Sequence, residues 1–176
     1  MDFETASIQA FKEAFPGVII KGCHFHFTQA LWKNIQKAGL SDVYSKQSFL
    51  YDYLNLFKSL AFVRVVLLNA AWYLINYYTP ANNPKVLEFK EYFIKTWIED
   101  VNFPTEMWNH YYNDGPRINN HVEGYNSKLN KYIDRNHPHI YSAIKTLKDL
   151  ETTTGLNFYQ RESGGLNQFP RRPNDI

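Results

Sequence analysis

The chain has 176 residues, enough for one domain with a sizeable core. Hydrophobic residues make up 44% and aromatic residues 17%, which excludes a chain disordered throughout and predicts a core built from rings. The net charge of +2 neither argues for a nucleic-acid partner nor excludes one, and a single cysteine, Cys23, forbids an internal disulfide and fits a reducing compartment.

The N-terminus, Met1-Asp2-Phe3-Glu4, carries acid where a secretory signal carries base. A helix is expected to follow at once, with Phe3, Ala6, Ala10, Phe11 and Ala14 on its apolar side and Pro16-Gly17 as its end. Val18-Ile19-Ile20 is a short β-branched run between turn residues and reads as a strand. It leads into Lys21-Gly22-Cys23-His24-Phe25-His26-Phe27. A second helix follows, with Phe27, Ala30, Leu31 and Ile35 on one side and Gly39 as its stop.

The middle of the chain reads as helical throughout. Phe49, Tyr53, Leu56, Phe57 and Leu60 recur at helical spacing. Val65 to Ile75 is roughly half the length of a membrane span, which needs about 20 apolar residues, and is expected to be a buried helix. Thr79-Pro80-Ala81-Asn82-Asn83-Pro84 breaks the chain. Val86, Phe89, Lys90, Phe93 and Trp97 mark the next amphipathic helix. Trp72, Trp97 and Trp108 lie on apolar stripes and are expected in the core.

The turn Asn113-Asp114-Gly115-Pro116 hands over to a helix expected from Asn119 to Ile133. Val122, Tyr125, Leu129 and Tyr132 share one face, and Asn119, Glu123, Asn126 and Asn130 share another. Asparagine competes for backbone hydrogen bonds and weakens helices. A face with three amides and one carboxylate therefore has two readings: contact with something polar, or a cap at Asn119 or Asn120 followed by solvated residues. After Asn136-His137-Pro138-His139 a last helix carries Ile140, Ile144, Leu147 and Glu151. From residue 161 onward the composition predicts a disordered tail.

Three segments together resemble the Mutator-like element (MULE) transposases. They are Asp2-Phe3-Glu4-Thr5-Ala6; Gly22-Cys23-His24-Phe25-His26-Phe27, similar to that family's Cys-x-x-His segment; and Trp108-Asn109 with Arg117-Ile118-Asn119-Asn120-His121-Val122-Glu123-Gly124-Tyr125-Asn126, similar to its Arg-Thr-Asn-Asn-x-x-Glu-x-x-Asn pattern. Ile118 stands for Thr, and Tyr125 for a Trp, in that pattern. The resemblance implies a partial RNase H-like α/β core over residues 1–160, mostly helical, with one or two short strands, a helical insertion over about 40–116, and a tail over 161–176. It implies metal-dependent DNA cleavage and strand transfer in DNA transposition, with Mg²⁺ or Mn²⁺, transposon DNA as partner, and a nuclear location. Asp2 and Glu123 match two of three metal-binding, catalytic carboxylates and are expected to face a common pocket. Two divalent ions roughly 3.5–4 Å apart need several such hard oxygen ligands. Arg117, Asn119, Asn120, Asn126, Cys23 and His26 match positions with DNA-contacting or structural roles. The first Asp and the central sheet have no counterpart in the chain, so the expectation is a catalytically incomplete domain. The alternative is a domesticated helical module that binds DNA or a protein without catalysis.

Each of these residues also has a plainer reading. Asp2 suits a helix N-cap and Glu123 a first-turn acid. Cys23, His24 and His26 with His137 and His139 would compose a zinc site of unusual spacing, against which stands a buried free cysteine. Lys128, Lys131, Arg135, Lys145 and Lys148, interleaved with Tyr125 and Tyr132, suit either a nucleic-acid backbone or a solvated face.

Overall fold

The computed structural model describes residues 1–44, 49–80, 82–133 and 138–164. It divides into two compact units, Met1–Asn119 and Asn120–Ile176. The protein is mostly helical, and no strand forms among the described residues. None of the described helices is long and apolar enough to cross a membrane.

The first unit contains α1 (Thr5–Ala14), α2 (His24–Lys37), α3 (Ser41–Tyr44), α4 (Phe49–Ser59), α5 (Leu68–Tyr77), α6 (Pro84–Phe93) and α7 (Thr105–Trp108). Its core is a cluster of rings and branched side chains from α2, α4 and α6. The spacing of Phe27, Leu31 and Ile35 puts all three on the buried face of α2, which ends where Gly39 takes a φ of +69°. Phe57 sits at the centre, edge-on to Tyr53, Trp72, Phe89 and Phe93 with ring centroids 5.0–6.0 Å apart. Edge-to-face packing of this kind aligns the positive rim of one ring with the negative face of the next.

Helix α6 starts cleanly because Pro84 fixes its first turn and the Asn83 side chain accepts from the Lys85 and Val86 amides. At its far end the chain widens into a π turn, Ile94–Ile98. The widening keeps Trp97 on the buried face, and the Trp97 carbonyl accepts the indole N–H of Trp108 at 3.0 Å. Trp97 and Trp108 are buried as expected, and Trp72 packs against the core.

Several expectations are corrected here. Val18–Ile20 is not a strand: among the described residues it has no second strand to pair with, and Ile19 is exposed. The chain just after it is tied down instead by Gly22 N–H to Met107 O, and by a pair of bonds to Met1, whose ammonium donates to Lys21 O and whose carbonyl accepts the Cys23 N–H. Val65–Ile75 is not a buried helix. It forms a 3₁₀ turn (Val65–Leu67) and then α5, and only Ile75 is buried. Burial on α1 falls on Ile8, while Phe11 is exposed, and Phe3 leaves the helix to pack on Trp97 and Phe103.

The second unit pairs α8 (Asn120–Ile133) with α9 (Ile140–Glu162). The His139 side chain caps α9 by accepting from the Tyr141 amide. Leu150 is the buried residue of α9, whereas Val122, Tyr125, Tyr132, Ile140, Ile144 and Leu147 are exposed. A pair of helices has too little interior to cover two apolar stripes. Helix α9 runs through Arg161 to Glu162, and residues 165–176 of the expected tail lie outside the described residues.

Candidate functional site

Residues from all three motif segments meet in the first unit. The Asn119 side-chain N–H donates to Asp2 Oδ1 at 2.7 Å, and the Cys23 thiol donates to Asn119 Oδ1 at 3.2 Å. His26 Nδ1 lies 3.0 Å from the same Asp2 oxygen. That nitrogen makes no aligned hydrogen bond, so the approach is an electrostatic contact rather than a directed bond. The backbone reinforces the junction, because the His24 N–H donates to Arg117 O at 2.8 Å. Asp2 is therefore not a helix cap: α1 begins after Glu4. Both ends of the Asn119 amide reach other motifs.

Gly22 is required at this junction by space. A Cβ there would overlap the Phe3 ring, which is itself wedged edge-on between Trp97 and Phe103. Lys21 adds two further ties, donating to the carbonyls of Glu106 and Asn109 at 2.7 and 3.0 Å.

Beside the junction lies a second cluster that sequence reasoning missed. Asn109 is buried and fully used: it donates to Leu60 O and Val63 O at 3.2 and 2.8 Å and accepts from the Tyr111 amide. The next residue, His110, is buried too, its N–H held by Ala61 O at 2.6 Å. The His110 ring stands edge-on to His24, centroids 5.7 Å apart, and Phe62 lies 4.7 Å from His24. Burial lowers the pKa of His24, with Arg117 and Lys58 adding to it. Burial, helped by His24, Lys21 and Arg117, brings His110 down to about 4. The Gly22 carbonyl pulls weakly the other way, although His110 Nε2 has no aligned partner. Both imidazoles are thus held neutral.

The outer side of this cluster alternates cations with rings. The Arg117 guanidinium lies 5.2 Å over Phe62. Arg64 donates to Tyr111 Oη at 2.8 Å and lies 5.5 Å from the same ring. Tyr112 packs edge-on to Tyr111 and is 70% exposed. Among the described residues neither guanidinium is paired with a carboxylate. The adjacent Tyr111-Tyr112 pair, one turn away from Arg117, was the sequence signal for this surface.

The remaining expected residues belong to the second unit. Asn120, Glu123 and Asn126 lie on α8 and are exposed. Asp2 thus belongs to the first unit and Glu123 to the second. In the same unit Lys128 lies over the Tyr132 ring at 5.7 Å. His139 caps α9, and His137 and Arg135 lie outside the described residues. Among the described residues no group of three His, Cys, Asp or Glu side chains is gathered to hold a metal ion. Within the first unit the Asp2 carboxylate meets the Asn119 amide and the His26 imidazole, which do not fit the several converging oxygens that Mg²⁺ requires. Comparison with protein-family models, curated proteins and solved structures gave no match.

Proposed function

We propose that the chain is a transposase-derived domain of RNase H-like ancestry that binds DNA without cutting it. The reading rests on two supports. The resemblance to MULE transposases is carried by three segments far apart in sequence, and their residues Asp2, Cys23, His26 and Asn119 are bonded to one another or in contact. The DNA-binding part is carried by one observation: Arg64 and Arg117 stack on exposed aromatic rings and have no acid partner among the described residues. Guanidinium groups in that setting are free to take phosphate oxygens, and Phe62, Tyr111 and Tyr112 offer faces on which bases stack.

The non-catalytic part is supported by Asp2, one of whose carboxylate oxygens is already engaged by Asn119 and His26. The experiment is DNA binding measured across salt concentration, without divalent ions. Binding is expected to weaken with salt, to survive Glu123→Ala, and to lose about one unit of salt slope in each of Arg64→Ala and Arg117→Ala. Cleavage in Mg²⁺ or Mn²⁺ that Glu123→Gln abolishes would overturn the non-catalytic part. Binding insensitive to both arginines would overturn the assigned surface.

A further inference from the structure

The segment from Val65 to Pro84 carries no charged side chain. One side of it is packed: Ile75 is buried, and Leu68, Ala71 and Trp72 lie against the core. The other side is open. Val66 is 81% exposed, Tyr73 68% and Tyr77 72%, with Leu67 and Leu74 about half exposed. Val66, Ala70, Tyr73 and Tyr77 follow one another at steps of four, three and four, so they form a ridge along the turn and α5. A folded protein rarely leaves such a ridge bare without a use for it.

We propose that this ridge is the interface of a weak homodimer, in which α5 of one copy crosses α5 of a second in antiparallel fashion at Ala70. Three features select a second copy over another occupant. Ala70, the smallest side chain on the ridge, lies near its middle and lets two helices approach closely. The pattern matches itself about that point. Leu67 and Tyr73 stand three positions either side of Ala70, and Val66 and Leu74 stand four. A two-fold axis through Ala70 therefore lays Tyr73 on Leu67 of the second copy and Leu74 on Val66 of the second copy. The third feature is charge. A surface with no charge over twenty residues meets its own copy without repulsion, and the whole chain carries only +2. Six side chains of this kind bury roughly 500–600 Å² per copy, about the least that supports specific association. The dimer is accordingly weak and concentration-dependent.

The test is analytical ultracentrifugation of the full chain over a wide concentration range, with circular dichroism as a control for folding. Wild type is expected to move from monomer to dimer as concentration rises. Ala70→Glu, which sets two carboxylates against each other on the axis, is expected to weaken the dimer by about a hundredfold or more. Ala70→Lys is expected to do the same, and an equimolar mixture of the two variants to associate again. If Ala70→Glu fails to fold, Tyr73→Lys at the exposed edge of the ridge replaces it and is expected to weaken the dimer as well. A wild type that stays monomeric throughout would overturn the proposal. So would a dimer that survives the charge at residue 70, or a Glu and Lys mixture that fails to associate; the last result points to a different partner on this face.

Discussion

The Asn119 amide donates to Asp2 Oδ1 at 2.7 Å, across 117 residues of sequence. Its other end accepts the Cys23 thiol. One side chain therefore closes the first unit by tying its two ends to the start of α2.

Removing that side chain has a consequence specific to Cys23, which is buried. Asn119→Ala deletes the thiol's acceptor and the amide on Asp2, at a cost of about 1 kcal/mol for bonds that are partly solvated. Urea denaturation measures the loss. The more telling measurement is thiol labelling: Cys23 is expected to react several-fold faster in the variant. Equal labelling rates would show that the junction is held by something else.

Stability should fall in acid through His110. Its folded pKa of about 4 lies below the ordinary 6.5, so the unfolded chain binds the extra proton first. The stability due to the neutral ring is fully present above pH 6.5 and is lost as pH falls from 6.5 to about 4. His24 shifts in the same direction. Arg117 is exposed and its field is screened, so the loss is set on the order of 2 kcal/mol. His110→Gln should flatten the slope of unfolding free energy against pH within that window, measured by chemical denaturation at a series of pH values.

Asn109→Ala should be among the most damaging single changes in the first unit. It removes the side-chain donor to Val63 O and the acceptor of the Tyr111 amide, and leaves Leu60 O with only the Val63 N–H. A cost of about 1–3 kcal/mol follows from leaving the Val63 carbonyl and the Tyr111 amide unpaired. Thermal melting checks it. Asn109→Asp should not rescue, because a carboxylate cannot donate to either carbonyl.

Gly22→Ala tests the crowding at Phe3. The added methyl meets a ring that Trp97 and Phe103 already hold edge-on. Overpacking of this kind costs about 1–3 kcal/mol. The double variant Gly22→Ala with Phe3→Leu should recover part of the loss in melting temperature, since the smaller side chain vacates the space.

Periodicity in the sequence was sufficient for the helices of the first unit that bury one face in its core. Phe27, Leu31 and Ile35, and likewise Val86, Phe89, Phe93 and Trp97, repeat at a spacing that admits one buried face. Gly39 and Pro84 mark their ends by backbone geometry that no neighbour has to supply. The same reasoning failed where burial depends on what else is present. The apolar residues of Val65–Tyr77, α8 and α9 recur just as regularly, yet most of those side chains remain exposed, because spacing sets which residues share a face but not whether anything covers it. Val18–Ile20 has the residues of a strand but finds no second one to bond with among the described residues. The meeting of Asp2, Cys23, His26 and Asn119, and the burial of Asn109 and His110 beside it, came from tertiary structure alone: contacts across about a hundred residues leave no local pattern, and only the folded chain sets the distances between them.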